Sequence, residues 1–206
     1  VKVDKAYTDF YIPRIKWTNA AAILSAQFIN RHQNELDLWA INTDTNTSKI
    51  LHTETDKAYV DVTDNLTFLK DNSFIWTSEQ DGFNHIYHHS KTGQLIKQVT
   101  QGNWEVTAYY GYDEKSKRIF YQSVENGSIN RDVYSIGLNG KNKRRLSKNE
   151  GTNSAAFSAD FTYYINTFSS ATTPPEYTLN NAKDGTVLKR IKDNDKVAQK
   201  VGNYRT

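Results

Sequence analysis

Three histidines on one short segment are the residues best placed to bind a metal ion. His85, His88 and His89 lie on a run that reads as a strand. Because side chains alternate along a strand, His85 and His89 point to one face and His88 to the other. A zinc site needs three or four converging ligands, so another element would have to supply the rest. We expect these histidines to form hydrogen bonds, and we predict no metal and no cofactor.

The sequence offers no nucleophile of the kinds that hydrolases use. Cysteine is absent, which excludes a thiolate nucleophile, a cysteine metal site and a disulfide framework. A serine nucleophile on a strand-to-helix turn requires Gly-x-Ser-x-Gly. None of the 10 glycines is followed by serine two positions later. We therefore predict no catalytic residue within this chain.

Charge gives two interpretations of one segment. The net charge is +3, and five cations cluster after the turn at Asn139-Gly140: Lys141, Lys143, Arg144, Arg145 and Lys148. Such a cluster is either a polyanion-binding patch or a solvated turn and outer strand. No aromatic platform interleaves with it, so we favour the second and predict no nucleic-acid partner. The longest apolar stretch, 20–24, is far too short to span a membrane.

A repeat of about 45 residues organises the rest of the sequence. Four short strands carry a marker aromatic, and each runs into turn residues; the markers are Trp39, Tyr87, Tyr134 and Tyr177. Repeats of this length built only from strands are typical of propeller blades, with four strands to a blade. We predict an all-β fold, a partial β-propeller of about four antiparallel blades.

The predicted blades cover most of the chain as one domain, 1–206. Their approximate bounds are 9–54, 62–101, 104–150 and 152–194. The polar tail beyond Asn194 is expected to fray or to lead into another unit. The four tryptophans, Trp17, Trp39, Trp76 and Trp104, are predicted at strand positions, packed in blades. The chain has no methionine, so we expect it to be part of a longer protein.

Several segments resemble the N-terminal propeller of dipeptidyl peptidase IV and its bacterial relatives. The matching segments are Tyr11 to Trp17, Trp76 to Tyr87, Thr100 to Val106, Arg118 to Ser123 and Ser158 to Tyr164. The stretches Gly-x-Trp-Glu-Val and Glu-x-Asp-Gly-x-x-His-Ile-Tyr are specific in combination. The resemblance runs from about Asp9 to Lys196.

The resemblance implies a larger enzyme with its catalytic centre elsewhere. The family joins an eight-bladed propeller to a C-terminal α/β-hydrolase domain with a Ser-Asp-His triad, and it releases N-terminal dipeptides, typically after proline or alanine. Its propeller gates the active site, and a pair of glutamates holds the substrate amine. This chain looks like the second half of that propeller, and it has no double glutamate. The partners implied are the remaining blades, the hydrolase domain and peptide substrates.

One loop corresponds in position to a family loop that borders the substrate pocket. It runs from Thr53 to Asp64, and its candidate substrate-facing residues are Tyr59, Asp61 and Thr63. The aromatic–arginine pair found there in some family members is absent. The alternative is an ordinary connection between blades, with Tyr59 packed against its neighbour.

The sequence thus predicts a gating and substrate-orienting module of an exported serine exopeptidase, in the periplasm or at the cell surface of a bacterium. The alternative is a non-enzymatic propeller that serves as a scaffold for protein or glycan binding. Half a propeller leaves apolar blade faces open, so we also predict that the isolated chain forms a homodimer.

Overall fold

The computed structural model describes residues 9–202, in which sixteen strands and one helix form. The chain divides into two compact units, one ending at Thr100 and the next beginning at Gln101. The first unit contains β1 (Phe10–Trp17), β2 (Ile23–Asn30), β3 (Glu35–Asn42), β4 (Thr47–Thr55), β5 (Thr67–Phe68), β6 (Phe74–Ser78), β7 (His85–His89) and β8 (Leu95–Gln98). The second contains β9 (Val106–Asp113), β10 (Arg118–Ser123), β11 (Asp132–Gly137), β12 (Arg144–Arg145), β13 (Thr152–Phe157), β14 (Tyr163–Ser169), β15 (Glu176–Asn181), β16 (Val187–Lys192) and α1 (Asp195–Gly202).

Each group of four consecutive strands forms one antiparallel sheet in sequence order. Short turns such as Ser90–Gln94 join neighbouring strands, as a meander requires. These sheets are the predicted four-stranded blades, two in each unit. The fold class predicted from the repeat is therefore confirmed, whereas membership of all 206 residues in one domain stays a prediction.

The core of the first unit lies between its two sheets. Leu36 and Leu38 of β3 and Phe74 and Trp76 of β6 are completely buried there, and Val60 joins them from the connection between the sheets. Alternation along each strand presents these residues to the same side. Neither sheet could bury its apolar face alone, so the two sheets stabilise each other.

Aromatic rings fill the core of the second unit. Phe120 stacks on Phe161 with ring centroids 5.1 Å apart, and Phe157 packs against both rings. Phe161 has a φ of 52°, and its ring lies where a side chain on Gly111 would be, 2.6 Å from an ideal Cβ. A glycine at position 111 is therefore what admits the ring.

A polar pair that contains a buried side chain recurs where the third strand of a blade begins. Asp37 accepts a hydrogen bond from the hydroxyl of Thr53, and Asp132 accepts one from Ser147 at 2.8 Å. His85 occupies the same position in its blade, with its Nδ1 3.1 Å from the hydroxyl of Thr100. Burial raises the pKa of Asp37, and its hydrogen bond from Thr53 opposes that shift. The pair fastens the third strand to the end of the fourth.

The histidines of β7 form hydrogen bonds, as predicted. His88 Nε2 lies 3.0 Å from Ser73 Oγ, and His89 donates from Nδ1 to the carbonyl oxygen of Gly93 at 3.1 Å. The His89 ring stacks on Phe74 with centroids 5.0 Å apart. Burial lowers the pKa of His89 to about 4, so the ring is neutral at physiological pH. Within residues 9–202, no three His, Cys, Asp or Glu side chains are grouped as metal ligands.

The described part of the C-terminal tail, 195–202, is helical and not frayed, whereas 203–206 lie outside the described residues. It forms α1, which begins with the acidic Asp195 in its first turn and carries Lys200 in its last, the charge order that the helix dipole favours. The backbone N–H of Val197 donates to the carbonyl of Asn194, which closes the first turn. In the described part of the chain, no helix has the length and hydrophobicity needed to cross a membrane.

Candidate functional site

The connection between the two sheets of the first unit is held in place by backbone hydrogen bonds. The N–H of Asp56 donates to the carbonyl of Asn34 at 3.0 Å, and that of Val60 donates to Gln33 at 2.8 Å. The Asp56 carboxylate caps its own turn by accepting from the N–H of Ala58 at 2.7 Å. The connection therefore has a fixed conformation next to the β2–β3 turn.

The three predicted site residues lie on this connection but differ in their surroundings. Tyr59 is 50% exposed, whereas Val60, 6% exposed, enters the core; both the substrate-facing role and the alternative packing of Tyr59 stay predictions. Asp61 is exposed. Thr63 is anchored, because its hydroxyl lies 2.8 Å from that of Thr77 and its carbonyl accepts from Gln27 at 2.8 Å.

The loop predicted to begin at Thr53 begins later in the structure. Strand β4 continues to Thr55, so the connection starts at Asp56. Asp64 at its far end forms a two-point ion pair with Arg14 of β1, through Nε and through Nη2, the latter at 3.1 Å. The Arg14 guanidinium holds the pKa of Asp64 below its ordinary value. The connection is thus tied to the first sheet at both ends.

A pocket of about 780 Å³ opens between this connection and the β6–β7 loop. Its carboxylate-bearing residues are Glu54, Asp56, Asp61, Asp64 and Glu79, and its other polar residues include Tyr59, Thr63, Ser78, Gln80 and Asn84. Neither lysine nor arginine is among the described residues that line it. The pKa values of Asp56 and Asp64 are lowered by hydrogen bonds from backbone amides and from Arg14, so both are ionised at neutral pH. The pocket therefore attracts cations.

Glu54 is the carboxylate most firmly fixed in this acidic pocket. Its side chain is 10% exposed, and its Oε1 accepts a hydrogen bond from Trp76 Nε1 at 2.6 Å. His52 Nε2 lies 3.4 Å from the same oxygen. A buried indole N–H needs an acceptor. Glu54 therefore accepts the hydrogen bond of the buried Trp76 and also lines the pocket.

The sequence pointed to the connection but not to the acids that surround it. Glu54 follows His52 by two positions on β4, which places both on one face of the strand. Glu79 belongs to the Glu-x-Asp-Gly turn, which closes with a hydrogen bond from the Gly82 N–H to the Glu79 carbonyl at 2.8 Å. These sequence features predict strand faces and turns. They do not predict that the acidic side chains lie around one pocket, because that depends on how the two sheets pack.

The basic cluster of the second unit is largely occupied by protein groups. Lys143 Nζ lies 2.5 Å from Glu125, Arg144 donates to the carbonyl of Lys183 at 3.0 Å, and Arg145 pairs with Asp132 at 2.9 Å. Three of the five cations thus stabilise the fold. These contacts support the interpretation of the segment as a turn and outer strand.

Trp104 is the exception among the predicted strand tryptophans. It lies in a bend before β9, where its ring is 5.5 Å from Lys143 Nζ in a cation–π contact. Its indole packs on Gly102, which has a φ of 140° and where an ideal Cβ would lie 2.2 Å from Nε1. The Gly-x-Trp-Glu-Val stretch therefore encodes a folded bend, and the strand position predicted for Trp104 is wrong.

Residues 1–175 match the family model described as the dipeptidyl peptidase IV (DPP IV) N-terminal region. The chain belongs to the dipeptidyl peptidase IV family. It is 28% identical over 213 aligned residues to a probable dipeptidyl peptidase 4 of Aspergillus flavus, an alignment that covers 96% of this chain. The resemblance seen in the sequence motifs is thereby confirmed.

Solved structures show the same relationship. The crystal structure of Porphyromonas gingivalis dipeptidyl peptidase 4 matches 93% of this chain with a TM-score of 0.87 and 38% identity. A putative dipeptidyl aminopeptidase IV from Bacteroides ovatus matches 90% with a TM-score of 0.77 and 26% identity.

The matches cover only part of each relative. The chain spans 27% of the A. flavus protein and 27% of the P. gingivalis protein. The family's N-terminal propeller region is therefore what this chain represents. Its placement in the second half of that propeller stays a prediction.

Proposed function

We propose that this chain is a gating and substrate-orienting wall of an exported serine exopeptidase that releases N-terminal dipeptides, typically after proline or alanine. The membership of the dipeptidyl peptidase IV family supports the activity, and the acidic pocket of the first unit supports the positioning role. The serine, aspartate and histidine of the triad belong to a hydrolase domain elsewhere in the protein. The proposed location is the periplasm or the cell surface.

The acidic pocket provides a physical means of orientation. A peptide with a free N-terminus carries an ammonium group, and the acidic side chains of Asp56, Asp61 and Glu79 create a negative potential at this end of the first unit. Tyr59 is half exposed beside them and supplies a ring for an apolar side chain of the peptide. Holding the peptide in a fixed position lowers the entropic part of the activation barrier for attack by the serine of the hydrolase domain.

Neutralising the pocket should weaken substrate binding more than turnover. In the full-length protein, we expect Asp61→Asn with Glu79→Gln to raise KM for a dipeptide-proline chromogenic substrate by about threefold to tenfold, while kcat changes little. The increase should shrink at high ionic strength, because exposed charges are screened by salt. Steady-state kinetics at low and high salt provide the measurement.

A matched control tests the location of the effect. Asp44→Asn with Glu114→Gln removes two carboxylate charges from turns of the chain that do not line the pocket and should leave KM unchanged. Equal effects of the two variant pairs would contradict the positioning role. Absence of dipeptide release by the intact protein would favour the scaffold function instead.

The terminal sheets carry exposed apolar residues that support partners outside this chain. Ile15 and Trp17 of β1 are 67% and 61% exposed, and Val187 and Ile191 of β16 are about half exposed. In the parent protein, further blades and the hydrolase domain are the proposed occupants. For the isolated 206-residue chain, we expect a homodimer by light scattering; a monomer at high concentration would contradict this expectation.

A further inference from the structure

A second pocket, of about 590 Å³, lies at the opposite end of the first unit. The lining residues that decide its chemistry are Ile23, Ala40, Lys49, Leu51, Phe68 and Lys91. The lining as a whole comes from the β1–β2, β3–β4, β5–β6 and β7–β8 turns and from adjoining strand segments. In an antiparallel meander such turns lie at the end away from the 56–66 connection. We call this the lysine pocket.

The lysine pocket has an apolar floor and a cationic rim. Ile23, Ala40, Leu51 and Phe68 form the floor and belong to the core cluster of the unit. The rim carries Lys49 and Lys91, both exposed, and no aspartate or glutamate is among the described residues that line the pocket. The nearby carboxylate of Asp71 accepts hydrogen bonds from Ser73. The two ammonium groups therefore have no acid of the pocket to neutralise them.

Backbone packing fixes the two lysines around this floor. Lys49 lies opposite Ala40 in the β3–β4 register, so its side chain starts on the pocket face. The β7–β8 turn packs directly on β4, because an ideal Cβ on Gly93 would lie 1.6 Å from the carbonyl oxygen of Leu51. Lys91 precedes Gly93 by two residues in that turn. The charged rim is thus positioned by rigid elements.

In the second unit, the residue that corresponds to Lys49 forms a hydrogen bond that stabilises the fold. Arg144 lies opposite Ser135, next after the marker Tyr134, just as Lys49 lies opposite Ala40 after Trp39. Arg144 donates to the carbonyl of Lys183 in the next sheet. Among the described residues, Lys49 makes no such bond, and neither does Lys91. The first unit therefore keeps a cavity and two available cations where the second unit has a bridge.

We propose that the lysine pocket binds a small apolar monocarboxylate, with its hydrocarbon body on the Ile23–Leu51–Phe68 floor and its carboxylate between Lys49 and Lys91. The volume is typical of small-molecule sites, which combine apolar walls with a few polar groups. Lysine ammonium groups bind carboxylates as point charges, and burial of methylene groups adds affinity. This site is distinct from the acidic pocket and does not depend on the peptidase role.

Calorimetric titration of octanoate into the full-length protein tests the proposal. We expect saturable binding that weakens about tenfold or more in Lys49→Gln with Lys91→Gln, and that is also lost in Ala40→Leu, which fills the floor. Acetate, which lacks the hydrocarbon, and 1-octanol, which lacks the charge, should bind at least about tenfold more weakly. Lys97→Gln with Lys115→Gln is the control pair, because neither lysine lines the pocket.

The outcomes separate the proposal from simple alternatives. Octanol binding as tightly as octanoate would mean an apolar cavity without carboxylate recognition. Equal weakening by the control pair would mean general attraction to a basic protein. Either result, or no octanoate binding at millimolar concentration, overturns the proposal. Thermal melting shows whether each variant is folded. If Ala40→Leu does not fold, the Lys49→Gln with Lys91→Gln variant still tests the proposal, because both lysines lie at exposed positions.

Discussion

Replacing Gly93 by alanine is expected to lower the free energy of unfolding of the first unit by about 4 kcal/mol. Gly93 has a φ of 93°, and an ideal Cβ would overlap the carbonyl oxygen of Leu51 at 1.6 Å and its carbonyl carbon at 2.5 Å. Both contacts are with backbone, which cannot rotate away as a side chain would. The turn would have to leave β4, and the two sheets would lose part of their packing.

Gly82 provides a matched control for this prediction. Its φ of 98° is nearly the same, but nothing lies within 4 Å of an ideal Cβ there. Gly82→Ala should therefore cost only the backbone strain, about 1–2 kcal/mol. Urea unfolding of both variants gives the comparison, and the difference between them measures the contact. Similar costs for the two substitutions would show that close packing of the turn on Leu51 contributes nothing.

The same contact recurs in the second unit, where it explains a turn signal in the sequence. An ideal Cβ on Gly185 would lie 2.1 Å from the carbonyl oxygen of Leu146. Thr92-Gly93 and Asp184-Gly185 are typical turn residues in the sequence, because glycine permits positive φ. The structure gives these glycines a further role, which is to let the last turn of one blade touch the fourth strand of the blade before it.

Strand positions could be predicted well because each strand alternates and each turn has its own residue chemistry. The four marker aromatics, Trp39, Tyr87, Tyr134 and Tyr177, all lie on the third strand of their sheets, namely β3, β7, β11 and β15. The length of the outer strand in the basic cluster could not be predicted, because β12 pairs only through Arg144 and Arg145. Hydrogen-bond pairing at the edge of a sheet depends on its neighbour, and a pattern of side chains does not report it.

The site was harder to predict than the fold. Tyr59 and Asp61 lie on the connection, and their substrate-facing role stays a prediction, whereas Val60 between them takes the buried position. The acidic pocket and the lysine pocket each draw residues from both sheets of the unit. Such convergence is set by packing across the core, which one strand's periodicity cannot reveal.

Asp132→Ala is expected to destabilise the second unit by about 3–5 kcal/mol. Asp132 is completely buried, and its Oδ1 accepts hydrogen bonds from Arg145 at 2.9 Å, from Ser147 at 2.8 Å and from Asn153 at 3.4 Å. Alanine would leave the buried hydroxyl of Ser147 without its acceptor and would remove the carboxylate partner of the Arg145 guanidinium, whereas Asn153 keeps the carbonyl oxygens of Arg131 and Asn149 as acceptors. The cost comes mainly from these stranded groups.

Two further substitutions separate charge from hydrogen bonding at this position. Asp132→Asn keeps an acceptor oxygen of the same shape and should cost about 1–3 kcal/mol, because the charge assistance is lost and the amide NH2 takes the place of Oδ2, which is buried without a hydrogen-bond partner. Asp44→Ala, on an exposed turn, should change the unfolding free energy by less than about 0.5 kcal/mol. Denaturant unfolding of the three variants gives the order directly.

A double-mutant cycle identifies which partner carries the effect. Arg145 is 32% exposed, so water replaces part of its lost interaction, whereas Ser147 is buried and has no such compensation. The coupling energy of Asp132 with Ser147, from Ser147→Ala, should therefore match or exceed its coupling with Arg145, from Arg145→Gln. Two results would contradict this account: a cost of less than about 1 kcal/mol for Asp132→Ala, or coupling of Asp132 with Arg145 alone. In either case the recurrent carboxylate–hydroxyl pair does not fasten the third strand to the fourth. The ion pair with Arg145 would then be the remaining explanation for the burial of Asp132.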